Sequence, residues 1–142
     1  MIIDHVGVAV RSIESAVARW ESVFGYRRAT GLVVNTRQKV KVTFLVKEGS
    51  LPVKLIEPSD PDSPIQAFVQ RGGGLHHLCF RCESLDAELV RLRELGLRVL
   101  TPPQPGEAFE DERIAFVFAG DGVNVELIDT DRRAARIDGR ER

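Results

Sequence analysis

The stretch Ile3-Asp4-His5-Val6-Gly7-Val8 is matched 72 residues further on by Leu75-His76-His77-Leu78-Cys79-Phe80. The same offset aligns Val53-Lys54-Leu55-Ile56-Glu57-Pro58 with Val125-Glu126-Leu127-Ile128-Asp129-Thr130, and no gap is needed between the two matches. The alignment superimposes His5 on His77 and Lys54 on Glu126. If the two copies fold alike and meet around one cavity, these four positions come together there.

The bulk composition is that of an ordinary globular domain. The 142 residues fit one domain, with 43% hydrophobic and 29% charged residues and a net charge of −1. This balance gives no reason to expect binding to nucleic acid or to a membrane surface. No apolar run is long enough to span a bilayer. Only two cysteines and no recognisable export signal lead us to expect a cytoplasmic protein.

Each copy is predicted to contain a strand, a helix and further strands, which together make an α+β fold. In the first copy the helix begins after the N-cap Ser12 and ends at Gly25; in the second it begins after Ser84 and ends at Gly96. We predict a single domain with module one at about 1–62, a linker helix at about 63–74, module two at about 75–130 and a charged tail at 131–142. We expect this tail to be mobile or to lie on the surface.

Strand alternation predicts which side chains share a face of the sheet. In residues 40–46 and 113–118, alternate positions are uniformly apolar, and we expect these apolar faces to lie under the helices. The same assumption leaves a second, open face. Its predicted side chains are His5, Lys41, Lys54, His77, Cys79, Arg81, Arg113 and Glu126. A shift of one residue in any strand would invert its assignment.

At these residues the chain resembles the vicinal oxygen chelate superfamily, which includes glyoxalase I, extradiol dioxygenases and antibiotic-binding proteins. The resemblance covers about residues 2–130 and is greatest to methylmalonyl-CoA epimerase-like proteins. It rests on residues 4–10, Ser63-Pro64-Ile65, residues 72–77 and Val125-Glu126-Leu127. It implies two tandem βαβββ modules that form a cup-shaped, barrel-like mixed sheet with helices outside, and it implies a homodimer.

The resemblance also implies a divalent metal ion at the base of the cup, with cobalt, zinc, manganese, nickel and iron as candidates. The family's ligand positions correspond here to His5, Lys54, His77 and Glu126. Lys54 departs from the pattern, because a protonated lysine has no lone pair and repels a cation. The remaining metal ligands would be His5, His77 and Glu126, a set that also suits ferrous iron with open coordination positions.

Four cationic side chains on the predicted open face favour an anionic small molecule, such as a carboxylate, a phosphate or an acyl-CoA. We predict that Lys41, Arg81, Arg113 and Cys79 contact this substrate. The alternative is that the long basic side chains only solubilise the rim of the cup. Lys54 has three open interpretations: a solvated lysine, a substitute for the charge of a metal, or a partner of a substrate carboxylate.

The resemblance favours a metal-dependent isomerase, similar to methylmalonyl-CoA epimerase, that stabilises an enolate of an anionic carbonyl or acyl-CoA substrate. Glu126 and Lys54 are the predicted catalytic residues, Glu126 as ligand and base and Lys54 as a proton carrier. Three alternatives stay open: a glyoxalase-type lyase, a dioxygenase with two histidines and one carboxylate, and a non-catalytic binding protein of the same fold.

Overall fold

The computed structural model describes residues 1–137 and consists of two similar halves joined through one curved sheet. The first half contains β1 (Ile2–Ala9), α1 (Ile13–Phe24), β2 (Arg27–Arg28), β3 (Val33–Asn35), β4 (Val40–Val46) and β5 (Val53–Pro58). A short helix, α2 (Gln66–Gln70), leads to the second half. That half contains β6 (Gly74–Arg81), α3 (Leu85–Glu94), β7 (Arg98–Pro105), a 3-10 turn (Glu107–Phe109), β8 (Arg113–Phe118) and β9 (Asn124–Ile128).

The two long helices begin and end as their sequences predict. The side chain of Ser12 accepts a hydrogen bond from the backbone N–H of Ser15, and Gly25 ends α1 in the left-handed conformation, at φ 73°. The side chain of Ser84 caps α3 in the same way, through the N–H of Ala87. The cap residues therefore fix where each helix leaves the sheet.

The strand order is β2-β4-β5-β1-β6-β9-β8-β7, with β3 paired to β4. β1 runs parallel to β5 and β6 runs parallel to β9, while β1 and β6 join the two halves as an antiparallel pair. This arrangement repeats itself about an axis between β1 and β6, and it confirms the predicted α+β fold of two tandem βαβββ modules. The four strands with the repeated motifs lie at the centre of the sheet.

The hydrophobic core has three parts. One layer lies under α1 and a second under α3, and the latter contains Leu85, Leu89 and Leu92 against β8 and β9. The third fills the concave side of the sheet. Its buried members are Ala9, Val40, Val42, Phe44, Ile56, Ile65, Val69, Cys79, Ala108, Phe109, Ile114 and Ile128. The cup is therefore closed and largely apolar.

The predicted facing is right for the four central strands and wrong for β4 and β8. Phe44 and Ile114 point into the cup, whereas Leu45 packs under α1 and Ala115 packs under α3. The error came from assigning the more uniformly apolar face to the helix side. Because the inside of this cup is also sealed from water, the more uniformly apolar face of each of these strands lines the cup instead.

Two connecting segments differ from expectation. The linker helix is limited to Gln66–Gln70, and the chain then passes so close to β1 that a Cβ at Gly73 would lie 2.4 Å from the carbonyl oxygen of Ala9. The predicted surface tail is wrong at Arg133, which is 5% exposed. Residues 138–142 of that tail lie outside the described part of the chain. Within residues 1–137, every helix is too short or too polar to cross a membrane.

Candidate functional site

The four repeated positions converge at the base of the cup. Nε2 of His5 lies 3.1 Å from Oε1 of Glu126, and Nε2 of His77 lies 3.6 Å from the same oxygen. Nζ of Lys54 donates a hydrogen bond to Oε2 of Glu126 at 3.4 Å. The site therefore consists of one carboxylate between two imidazoles on one side and an ammonium group on the other.

An irregularity in β1 orients the first histidine. The register between β1 and β6 shifts between Ile3 and His5, as in a β-bulge, so Asp4 and His5 are both buried. Nδ1 of His5 lies 2.7 Å from Oδ2 of Asp4. A proton on Nδ1 donates to this carboxylate and leaves the lone pair of Nε2 directed at Glu126.

The second histidine lies over a glycine. A Cβ at position 7 would meet Cε1 of His77 at 2.0 Å, so only Gly7 leaves room for this ring. Nδ1 of His77 lies 2.9 Å from Nδ1 of His76. His76 therefore contacts the outer nitrogen of His77 and leaves Nε2 directed inward.

Burial and charge set the protonation of this cluster. Burial alone would raise the pKa of Glu126, but neighbouring groups, the Lys54 ammonium first among them, outweigh it and hold that pKa well below its ordinary value. Burial is also the main cause that lowers the pKa of His77 well below its ordinary value, against the opposing attraction of Glu126. An ionised carboxylate beside a neutral His77 is the protonation state that metal binding requires.

Three inward atoms suit a divalent cation. Within residues 1–137, Nε2 of His5, Nε2 of His77 and Oε1 of Glu126 are buried and make no hydrogen bond of acceptable geometry. The three residues can offer ligand atoms within 4.8 Å of one another. Two imidazoles and a carboxylate are a common donor set for divalent transition metals. His5, His77 and Glu126 therefore fit the predicted metal, while Lys54 binds the carboxylate oxygen that faces away from them.

Two of the four predicted substrate contacts lie outside the cup. Lys41 points to the outer side of β4 and pairs with Glu57 at 3.2 Å, while Arg113 pairs with Asp86 of α3 at 2.8 Å. The prediction that these two cations line the cup is therefore wrong, because the facing of their strands is inverted.

The other two predicted contacts lie close to the cluster. Cys79 is fully buried, and its Sγ can lie within 4.8 Å of ligand atoms of Asp4 and His5. Burial, followed by the charges of Glu126 and Asp4, raises the pKa of the Cys79 thiol well above its ordinary value. Arg81 is partly exposed, and its Nε lies 3.3 Å from Oδ1 of Asp4.

The sequence prediction missed four residues of the site. Strand alternation places Asp4 on the face opposite His5, and no sequence pattern signals the bulge that brings both residues to the site. Arg133 was assigned to the tail. The rings of Phe44 and Phe109 lie against Nζ of Lys54, with the Phe109 ring centroid 5.0 Å away. Phe109 follows a proline-rich strand, and its sequence gives no sign that it points into the cup.

The comparisons with known proteins agree with this architecture. Residues 4–116 match the model of the glyoxalase/bleomycin resistance protein/dioxygenase superfamily. The uncharacterized protein YqjC of Bacillus subtilis is 36% identical over 88% of this chain and 89% of its own length. The ethylmalonyl-CoA/methylmalonyl-CoA epimerase of Cereibacter sphaeroides is 31% identical over 88% of this chain and 95% of its own.

A solved structure gives the same result. The methylmalonyl-CoA epimerase of Mycobacterium tuberculosis superimposes with a TM-score of 0.80 at 32% identity, covering 89% of this chain and 86% of that one. Together, the family match and the shared fold confirm the resemblance found in the repeated motifs. The chain belongs to the glyoxalase/bleomycin resistance protein/dioxygenase superfamily.

Proposed function

We propose that this protein is an epimerase that acts on the acidic carbon of an anionic acyl-CoA or a related carbonyl compound, with a divalent cation held by His5, His77 and Glu126. The observation that supports it is the convergence of three unbonded, buried ligand atoms from three central strands on one point of a closed cup. The epimerase names of two of the similar proteins favour an acyl-CoA as the substrate.

The chemistry supplied by a divalent cation at this position is Lewis-acid stabilisation of the negative charge that develops on a substrate carbonyl oxygen. The candidate metals remain cobalt, zinc, manganese, nickel and iron, since each accepts imidazole and carboxylate donors. The apolar walls of the cup, which include Phe44 and Phe109, exclude water and so strengthen every charge interaction at the site.

Glu126 is the proposed base. Its carboxylate is ionised and fully buried, and a carboxylate held next to the acidic carbon can accept the proton that leaves. Inversion also requires that a proton returns to the opposite face. Lys54 is the proposed donor, because its ammonium group is enclosed in the same cup; its 3.4 Å contact with Glu126 has to open so that the substrate carbon lies between the two groups. Cys79 has no proposed role in proton transfer.

The test is solvent deuterium uptake together with metal analysis. Protein loaded with each candidate metal is incubated with methylmalonyl-CoA in D2O, and mass spectrometry follows deuterium at the acidic carbon. We expect uptake, about one metal per chain, and loss of both in His5→Ala and His77→Ala. Arg113→Ala is the matched control, because its side chain lies outside the cup. A fully metal-loaded protein that exchanges no proton in any acyl-CoA tested would refute the proposal.

A metal-free binding protein is the second candidate, and one contact favours it. Lys54 and Glu126 occupy equivalent positions of the repeat, and the Lys54 ammonium already compensates the charge of the Glu126 carboxylate. In that case the purified protein contains no metal, and an anionic ligand binds equally well with and without a chelator. The homodimer and the cytoplasmic location stay predictions; sedimentation of the purified protein tests the first.

A further inference from the structure

The candidate site is sealed in the described structure. His5 and Glu126 are 0% exposed, Lys54 is 1% exposed and His77 is 2% exposed. No molecule of the size of an acyl group can reach these side chains without movement of the elements that cover them. The central strands β1, β5, β6 and β9 are paired on both sides, so they are the least able to move.

The C-terminal strap, which we define as residues 131–137, is the element that covers the site with a charged side chain. The guanidinium carbon of Arg133 lies 4.5 Å from the ring centroid of Phe44 and 4.9 Å from that of Phe109. Its NH2 group donates to Oδ2 of Asp4, the same oxygen that faces His5. Arg133 is thus inserted between the aromatic wall of the cup and the residue that orients the first histidine.

Backbone hydrogen bonds hold the strap in place. The N–H of Ala134 donates to the carbonyl oxygen of Ala108 at 2.9 Å. The N–H of Gly31 donates to the carbonyl oxygen of Ala135 at 2.7 Å, and the N–H of Ile137 donates to that of Ala29 at 3.0 Å. They attach the strap to both modules across the cup. Ala135 has φ 56°, a left-handed conformation that is uncommon for alanine. In the closed position, Ala135 therefore has a backbone conformation that alanine rarely adopts.

Asp4 does not depend on Arg133 alone. Oδ1 of Asp4 lies 3.3 Å from Nε of Arg81, and Oδ2 lies 2.7 Å from Nδ1 of His5. When the guanidinium leaves, these two contacts still surround the carboxylate. An outward movement of the strap breaks the Arg133–Asp4 ion pair together with the backbone hydrogen bonds of the strap, and it leaves His5 and Arg81 against Asp4.

We propose that Arg133 controls ligand access to the cup: the strap closes the site while Arg133 pairs with Asp4, and ligands reach the buried cluster only after this pair separates. An anionic ligand favours the separation, because its carboxylate competes with Asp4 for the guanidinium group. The proposal does not depend on the reaction, because it holds for any molecule that enters this cup.

Cys79 reports whether the cup is open. It is fully buried beside Asp4 and His5, whereas Cys82 is only partly buried outside the cup and serves as an internal reference. N-ethylmaleimide is added to the full chain, and mass spectrometry follows both thiols over time. The control variant is Arg132→Ala, which removes the neighbouring exposed arginine that pairs with Glu112.

We expect Arg133→Ala to speed the labelling of Cys79 by about tenfold or more, the shift that follows from losing a charge-assisted hydrogen bond, with Cys82 unchanged. Removing a positive charge disfavours the thiolate, so faster labelling reports access and not reactivity. Equal Cys79 rates in Arg133→Ala and Arg132→Ala would overturn the proposal.

Hydrogen exchange of the unmodified protein separates strap opening from unfolding. We expect the amides of Gly31, Ala134 and Ile137 to exchange together and much faster than those of β1 and β6. Arg133→Lys, which keeps the charge but loses the planar guanidinium, should give intermediate labelling of Cys79. Strap amides that exchange only with global unfolding would show that no separate opening occurs. Neither measurement uses turnover, so its result is independent of whether the protein is an epimerase.

Discussion

The two modules supply the same strand positions with different chemistry. Module one contributes His5 and Lys54, and module two contributes His77 and Glu126, each pair 72 residues from its counterpart. The residues before the histidines also correspond, since Asp4 aligns with His76, and each contacts Nδ1 of the histidine that follows it. The repeated fold therefore fixes where the side chains meet. The differences between the halves decide the charge and the orientation of each group.

Removing the charge of Glu126, which differs from its counterpart Lys54, should have the largest effect on stability. Glu126→Gln leaves the Lys54 ammonium buried without its partner, and losing one member of a buried ion pair costs about 3–5 kcal/mol. We expect a fall of this size in the free energy of unfolding, measured by urea denaturation of the metal-free protein.

The matched experiment is a double-mutant cycle with Lys54→Met. The double variant should be more stable than the sum of the two single changes predicts, because neither charge is then left alone. Strict additivity would mean that Lys54 and Glu126 stabilise the fold independently, against the geometry of the pair.

The close contact between β1 and β6, which join the two modules, gives the second prediction. Gly7 faces His77 across the β1–β6 pair, and its counterpart in module two is Cys79, which faces His5. In Gly7→Ala the new Cβ would displace the ring of His77, so we expect zinc affinity to fall by about a hundredfold. Isothermal titration measures it.

Gly31→Ala is the control for backbone and propensity effects. A Cβ there meets nothing closer than 3.6 Å, at Ala135. Unchanged zinc affinity in Gly7→Ala would show that His77 is not a ligand, whereas a loss in both variants would point to a general effect on the fold.

The groups that orient the two histidines also differ between the modules. Asp4 is an anion that holds a proton on Nδ1 of His5, whereas His76 offers only an imidazole to His77. We therefore expect Asp4→Asn to weaken zinc binding by about tenfold to a hundredfold, and His76→Gln to weaken it less. The same titration compares them, with melting temperatures as the check on folding. A larger loss in His76→Gln would reverse the proposed ranking.

The repeat is the reason that the sequence predicted the four clustered residues of the site. Two aligned motifs locate His5, Lys54, His77 and Glu126 without knowledge of the loops, and strand alternation then places all four on one face. The contribution of Asp4 was not predictable from alternation, because it depends on a bulge that breaks the period of two. Arg133 was equally hidden, since a charged segment after the last strand is typical of a solvated tail and nothing local signals a partner 129 residues earlier.

The protonation of His77 gives a smaller, pH-dependent effect. Its pKa is lowered in the folded protein, so below about pH 6.5 the unfolded chain binds a proton that the folded chain does not. The resulting stability is complete above pH 6.5 and decreases as the pH falls towards the folded pKa, by at most about 1.4 kcal/mol per pH unit. Urea denaturation with a chelator present measures this slope.

His77→Gln is the variant that identifies the group, because glutamine does not titrate. We expect its stability to depend less on pH between about 6.5 and 5 than that of the unmodified protein. The carboxylate of Glu126 acts in the same direction at lower pH: its depressed pKa stabilises the fold above about pH 4.5, and this contribution is lost as the pH falls further. An unchanged slope in His77→Gln would show that another group dominates.

Substitutions on the outer side of the sheet should have the smallest effect. Lys41 and Arg113 are also 72 residues apart, and both lie on the outer side of the sheet, paired with Glu57 and Asp86. Exposed ion pairs of this kind contribute little to stability. We expect Lys41→Met and Arg113→Met to leave zinc affinity and the Cys79 labelling rate unchanged. A strong loss of ligand affinity in either variant would restore the facing predicted from the sequence, because only a side chain that reaches the cup can act on a ligand held there.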